Sequence, residues 1–281
     1  MKRYLNTYEP DNCLKQGYFP MFKQIAREII DSKWLIYQLF KRDFSAAYRQ
    51  SIFGILWIIV IPVIGIAGVF LLNRSNIVNI GETPVSFLLY AASGLAVWQI
   101  FGIGLVSATS SLAKAGPMIV KVNFSKKSLV ISAFSQCLAP FLVLFTVTLI
   151  LCLVEGVKAT FFTLLFPVLL LPLILFTLGL GFMLALLNGI IRDIASAVSV
   201  LATFLLLFTP ILYAAPKTGG YIYAVRYNPL YYLISVPRDA LITGAPGHLY
   251  GYFISALLSL LIFCVCITVF HITETRIAER I

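Results

Sequence analysis

Two patterns of apolar and polar positions divide the chain. Between residues 21 and 49 apolar side chains recur every three or four positions: Phe22, Ile25, Ala26, Ile29 and Ile30 form one stripe, and Ile36, Tyr37, Phe40, Phe44, Ala47 and Tyr48 form a second. Lys41, Arg42, Ser45 and Arg49 fall opposite the second stripe, the pattern of a helix lying along a membrane surface. Asp31 and Ser32 stand between the stripes and can cap the second helix. Beyond them, six runs contain no Asp, Glu, Lys or Arg: 50–73, 83–113, 128–154, 159–191, 194–216 and 240–273. Each can hold the roughly 20 apolar residues that cross a ~30 Å hydrocarbon core at ~1.5 Å per residue. The expected architecture is an all-α integral membrane protein with six transmembrane helices. Residues 1–20 form a loose arm, 21–50 amphipathic interface helices, 51–273 the membrane domain and 274–281 a tail.

Within the runs, a few positions break the uniform apolar character. Pro62 is expected to bend the first span, which also carries Gly54 and Trp57. The second span holds Tyr90, Trp98, Gln99 and Phe101, with Gly94, Gly102 and Gly104 allowing close helix approach. Its aromatics fit either an interfacial belt or the wall of a sugar-binding lumen, where a ring face stacks on a pyranose. The fourth span contains Pro167 and Pro172 and is long enough to tilt or kink. Residues 229–242 are too short to cross and too apolar for a free loop, so they read as a re-entrant or interfacial hairpin between spans five and six. Tyr221, Tyr223, Tyr227, Tyr231 and Tyr232 crowd its entry, as an external gate or a passive interfacial cap.

Charge orients this arrangement. Of the 21 lysines and arginines, Arg74, Lys158, Lys217, Arg226 and Arg238 fall on one side of the predicted spans and the rest on the other, which places both termini in the cytoplasm. Topology and attraction to anionic lipid account for the formal net charge of +10, leaving nothing that calls for nucleic acid. A composition 60% apolar and 11% charged, with mean hydropathy +0.96 over 281 residues, lies far from that of soluble domains. Residues 1–30 contain no uninterrupted apolar core, so the first run is expected to act as its own insertion signal. The five cysteines lack metal or redox spacing, and His248 and His271 sit at opposite membrane edges without a convincing ligand cluster.

The chemistry that is missing narrows the function. No Lys follows a Gly, so the phosphate-binding G-x-x-x-x-G-K-[ST] loop is absent and this chain does not hydrolyse nucleotide by that route. No charged side chain lies mid-span, which argues against a proton-coupled carrier. Energy for transport would come from another subunit. The loop after span two calls for a protein partner or a membrane surface. Gly116-Pro117 breaks the chain, and the apolar triplet Met118, Ile119 and Val120 sits among Lys114, Lys121, Lys126 and Lys127.

The run KRDFSAAYRQSIFGILWIIVIP resembles the opening of membrane subunits of ATP-binding-cassette exporters of the polysaccharide branch, which handle O-antigen, capsule or teichoic acid. The resemblance continues through Gly116-Pro117, Arg192-Asp193, Asn228-Pro229 and Arg238, covering roughly residues 30 to 270. It implies a homodimeric channel in the bacterial cytoplasmic (inner) membrane that moves lipid-linked polysaccharide outward, driven by two copies of an ATPase subunit that holds ATP and Mg²⁺; no cofactor is implied in this chain. By the same resemblance Lys41, Arg42, Asp43, Tyr48, Arg49, Pro117, Met118 and Ile119 contact the ATPase. Tyr227, Asn228, Pro229, Tyr231, Tyr232 and Arg238 belong to the external gate. Trp57, Trp98 and Phe101 are candidates to line the channel. A drug or small-lipid exporter of the same superfamily would share the fold, and a membrane scaffold would need no ATPase.

Overall fold

The computed structural model describes residues 18–49, 56–75, 81–115, 125–215 and 219–277, and every regular element among them is helical. Two amphipathic helices come first, α1 (Tyr18–Asp31) and α2 (Lys33–Arg49), followed by α3 (Leu56–Arg74) and the long α4 (Phe87–Lys114). Then come α5 (Lys127–Phe134), a 3-10 turn (Ser135–Cys137), α6 (Leu138–Val154), the single turn α7 (Phe161–Leu164) and α8 (Phe166–Ile190). The chain ends with α9 (Ile194–Phe208), the short α10 (Tyr221–Arg226), α11 (Pro229–Ile242) and α12 (Leu249–Ile277).

Among the described residues four helical segments are long and apolar enough to cross a membrane: Phe87–Lys114, Lys127–Val154, Phe166–Ile190 and Leu249–Glu274. Two of the six expected spans are shorter helices, Leu56–Leu71 and Ile194–Phe208. Residues 51–55 of the expected first span lie outside the described residues. The fifth stops early for a local reason. Pro210 disfavours the helical conformation at the residue before it, and Thr209 is extended, with φ −94° and ψ 126°.

Proline also breaks the third span. Pro140 has no N–H to offer the carbonyl of Gln136, and its ring crowds that carbonyl, so the helix tightens into the 3-10 turn at Ser135–Cys137. The fourth span divides differently: α7 is a separate turn, and Pro167 sits in the first turn of α8, where no intrahelical donor is lost. The stretch 229–242, read from sequence as interrupted at Pro237, Arg238 and Asp239, is one continuous helix through all three.

The centre of the bundle is α4, the least apolar of the four long helices and the most deeply buried. Outward faces of the bundle present large apolar side chains, whereas α4 can carry Ser93 and Thr109 because each hydroxyl donates to a carbonyl four residues back, at 2.7 Å in both cases. It packs against α8, α6, α5, α9 and α11. Where α8 crosses α12, a Cβ on Gly179 would lie 2.8 Å from the Phe263 Cα, so only glycine permits that approach.

α1 and α2 are docked against protein. Met21, Ile25 and Leu39 are buried in the main core, and Gln136 Nε2 donates to the Phe40 carbonyl at 3.2 Å. Leu35 and Leu39 pack inward, while Tyr37 is 50% exposed, because the neighbour that α2 covers is α5.

Candidate functional site

Three places in the fold gather the polar groups of an otherwise apolar bundle. The first is a groove between α4 and α9 of about 290 Å³, lined by Trp98, Gln99, Gly102, Ile103, Val106, Ser107, Ser199, Ala202, Thr203 and Leu206. Gln99 and Ser107 lie two turns apart on α4 with Ile103 between them, and Ser199 and Thr203 lie one turn apart on α9, so both helices bring polar side chains to the groove. Sequence reading noted Gln99 without giving it a role and passed over Ser107, Ser199 and Thr203. The available signal was hydroxyls spaced by a helical turn within charge-free runs. Trp98 reaches this groove while its indole packs over Gly102, where a Cβ would meet Nε1 at 2.7 Å. Phe101, expected beside it, is 1% exposed and stacks on Phe176 with ring centroids 6.1 Å apart. It therefore packs inside the subunit and offers no surface to the groove, because on α4 it lies on the face that meets α8. Trp57 lies on α3 and is exposed.

The second place is the end of the bundle that carries α1 and α2. Lys41 and Arg42 are exposed on α2, and Arg42 Nη2 lies 2.7 Å from Asp43 Oδ1. Tyr48 and Arg49 fall in the last turn of the same helix. Pro117, Met118 and Ile119 lie outside the described residues. Behind this surface is a cluster that sequence reading missed. Lys127, 1% exposed, donates from Nζ to Glu28 Oε2 at 2.8 Å and to the Glu274 carboxylate. The Lys126 backbone N–H donates to Glu274 Oε1 at 2.6 Å, and its Nζ donates to the Glu274 carbonyl at 2.8 Å. Burial pushes the Lys126 ammonium below its usual range and Lys127 adds to the shift, while Glu274 opposes it. Donor atoms of Glu28, His271 and Glu274 lie within 4.8 Å of one another, a set that suits a metal ion by type. Lys127 already places a cation between the two carboxylates, so a metal there would face an ammonium group. No local pattern announces this cluster, since Lys127 stands 99 residues from Glu28 and 147 from Glu274.

The third place is the opposite end, built around α11. Asn228 caps this helix by accepting from the Leu230 N–H at 3.0 Å, and its Nδ2 donates to Thr209 Oγ1 at 3.0 Å; Pro229 fits the first turn. The Tyr232 hydroxyl donates to the Arg226 carbonyl at 2.9 Å, while Tyr227 is 82% exposed. Tyr231 is buried against Tyr232, with ring centroids 5.2 Å apart. Arg238 is buried on the same helix. Its guanidinium carbon lies 3.9 Å over the Tyr90 ring of α4, and Nε donates to Asp239 Oδ1 at 2.9 Å. Thr163 Oγ1 donates to the Ala240 carbonyl and Thr160 Oγ1 to the Gly244 carbonyl, each at 3.1 Å, tying α7 to α11.

A helical bundle with several membrane-length apolar segments and one polar groove at its most buried helix defines a multi-pass membrane protein. Residues 35–242 match the ABC-2 type transporter family, and the chain belongs to that family. It is similar to an O-antigen export system permease protein RfbA of Myxococcus xanthus, 30% identical over 194 residues, covering 68% of this chain and 72% of that protein. Two proteins of the same name from Klebsiella pneumoniae are also similar. One is 25% identical over 220 residues, covering 77% of this chain and 83% of the relative, and the other is 24% identical over 252 residues, covering 87% and 94%.

Proposed function

We propose that this chain is the membrane permease subunit of an ATP-driven exporter that carries lipid-linked polysaccharide of the O-antigen type outward across the bacterial cytoplasmic membrane. The observation that carries the reading is the open groove between α4 and α9, lined by one amide, three hydroxyls and an indole on a bundle whose outer surface is otherwise apolar. Sugar hydroxyls need hydrogen-bond partners on leaving water, and the ring face of a pyranose packs well on an aromatic side chain. The name shared by the relatives supports the same substrate class.

In this reading α3 and α9 complete six crossings, both termini face the cytoplasm, and a second copy closes the channel against the exposed apolar faces of α3 and α9. Each subunit of the homodimer takes one ATPase subunit, which supplies ATP and Mg²⁺. Lys41, Arg42, Asp43, Tyr48 and Arg49, with Pro117, Met118 and Ile119, receive that ATPase. Tyr227, Asn228, Pro229, Tyr231, Tyr232 and Arg238 form the external gate, with the 221–242 segment as its re-entrant pair of helices. Trp98 lines the channel, with Trp57 on the adjoining α3.

A second reading, export of a small lipid, has one observation in its favour. An apolar crevice of about 440 Å³ lies between α3, α4 and α6, lined by residues that include Val63, Phe70, Phe87 and Leu144. Deleting the gene and complementing it separates the two. For a polysaccharide exporter, deletion removes the surface polymer and leaves its lipid-linked precursor inside the cell, and Ser199→Leu with Thr203→Leu fails to restore the polymer. A surface polymer unchanged by the deletion would end the polysaccharide reading.

A further inference from the structure

The ion pairs around Lys127 join three elements that are remote in sequence: α1 through Glu28, the start of α5 through Lys126 and Lys127, and the last turns of α12 through Glu274. Stability alone is a weak reason for burying them, since ion pairs taken out of water are often no more stabilising than apolar side chains of equal volume. What such a cluster does impose is registry. The ammonium has two carboxylate partners at once, the buried Glu274 and the half-buried Glu28, so α1, α5 and α12 keep their relative positions or the whole set breaks.

Its location gives that registry a use. The segment joining α4 to α5 carries Pro117, Met118 and Ile119, and its far end enters α5 at Lys126 and Lys127. α5 is only eight residues long and ends at the 3-10 turn Ser135–Cys137, a geometry that commonly marks a hinge within a span. Gln136, within the turn, is bonded to the Phe40 carbonyl of α2. So α1, α2, α5 and the end of α12 are bonded to one another on the near side of the turn and packed on α4 and α8, with α6 on the far side.

We propose that Lys127 is the positioning residue of a force-transmitting joint, which holds α1, the start of α5 and the end of α12 as a unit; this rests on the ATPase-driven permease reading above. The joint touches neither nucleotide nor polysaccharide. Its loss uncouples hydrolysis from export without removing either partner.

The test uses the full complex of this chain with its ATPase, purified and scored for ATPase co-purification and ATP hydrolysis, with polymer export measured in the complemented deletion strain. Lys127→Glu places three carboxylates together. It should leave co-purification and hydrolysis within about twofold of wild type while export falls about tenfold or more, a loss on the scale of a broken coupling network. Lys127→Glu with Glu274→Lys restores one opposite-charge pair at the same site and should return export to within about threefold. Glu274→Gln, nearly isosteric, should show a smaller split of the same sign and supplies the readout if Lys127→Glu does not accumulate. Wild-type export from Lys127→Glu would overturn the proposal. So would an assembled charge-swap pair that fails to recover, or a Glu274→Gln variant in which hydrolysis and export fall together. If the wild-type chain recruits no ATPase and exports nothing, the transport reading itself is overturned.

Discussion

The two ends of the bundle are held by different chemistry. At the end carrying α1 and α2, full charges are matched around the buried Lys127, with Lys126 and Lys127 against the half-buried Glu28 and the buried Glu274. At the end carrying α11, neutral donors meet carbonyls, in the pairs Thr160 with Gly244, Thr163 with Ala240 and Tyr232 with Arg226, and the one ion pair, Arg238 with its chain neighbour Asp239, lies within α11 itself, with Arg238 over a ring. The energetics differ accordingly. Removing one partner of a buried ion pair costs about 3–5 kcal/mol, whereas a neutral hydrogen bond contributes about 0.5–1.5 kcal/mol. The charged end therefore moves as a block or fails as a block. The neutral end can release one contact at a time, which suits a segment proposed to open.

That contrast can be broken most sharply at Lys127. Lys127→Met leaves Glu28 and Glu274 without their shared cation and should destabilise the protein by about 3–5 kcal/mol, read as a lower thermal midpoint in detergent. A midpoint equal to that of a Thr163 variant would erase the difference between the ends. At mid-bundle, Gly179→Leu forces a side chain into the Phe263 backbone and should cost about 1–3 kcal/mol, serving as a reference that belongs to neither end.

At the opposite end, Tyr90→Leu removes the ring under Arg238 and should cost about 2 kcal/mol, while Tyr90→Phe keeps the ring and gives up the hydroxyl's contact with Arg238 and its long 3.4 Å bond to the Tyr213 carbonyl. Equal losses from the two would show that the hydroxyl, not the ring, holds α11. Thr163→Ala gives up its bond to the Ala240 carbonyl and should cost about 1 kcal/mol. The smallest effect is expected from Arg42→Ala, whose pair with Asp43 is exposed and worth about 0–1 kcal/mol. Its melting curve should overlay that of wild type, so any loss of ATPase co-purification reports contact with the partner.

Much of the fold is legible in local pattern. Charge-free runs mark α3, α4, α6, α8, α9 and α12, because apolar length is a property of consecutive residues. The start of α11 is equally local, since Asn228 and Pro229 are a helix cap and a first-turn proline wherever they occur. The errors arise where neighbours compete with local preference. α11 continues through Pro237 because the helix is packed against α4 and α12 on its buried side. On α2, spacing marks the stripe through Tyr37 as apolar, and docking on α5 adds Leu35 and Leu39 as the residues that pack inward.

The candidate site divides along the same line. Arg238 and the tyrosines proposed for the gate stand out in sequence as polar groups within an apolar stretch, and Gln99 is visible for the same reason. Ser199 and Thr203 became a site only when α9 came to lie beside α4. Lys127 looked like one more positive charge at a membrane edge, a mark of orientation.

By itself the sequence determined an all-helical membrane chain, the runs from which its spans are built and the absence of nucleotide-hydrolysing machinery, because each depends on composition and spacing within a few turns of chain. Tertiary structure alone decided that the least apolar long helix is the centre, that polar side chains of α4 and α9 share a groove, and that Lys127 is buried between Glu28 and Glu274. Those outcomes depend on which distant segments meet, and pairing across 99 and 147 residues leaves no trace in local periodicity.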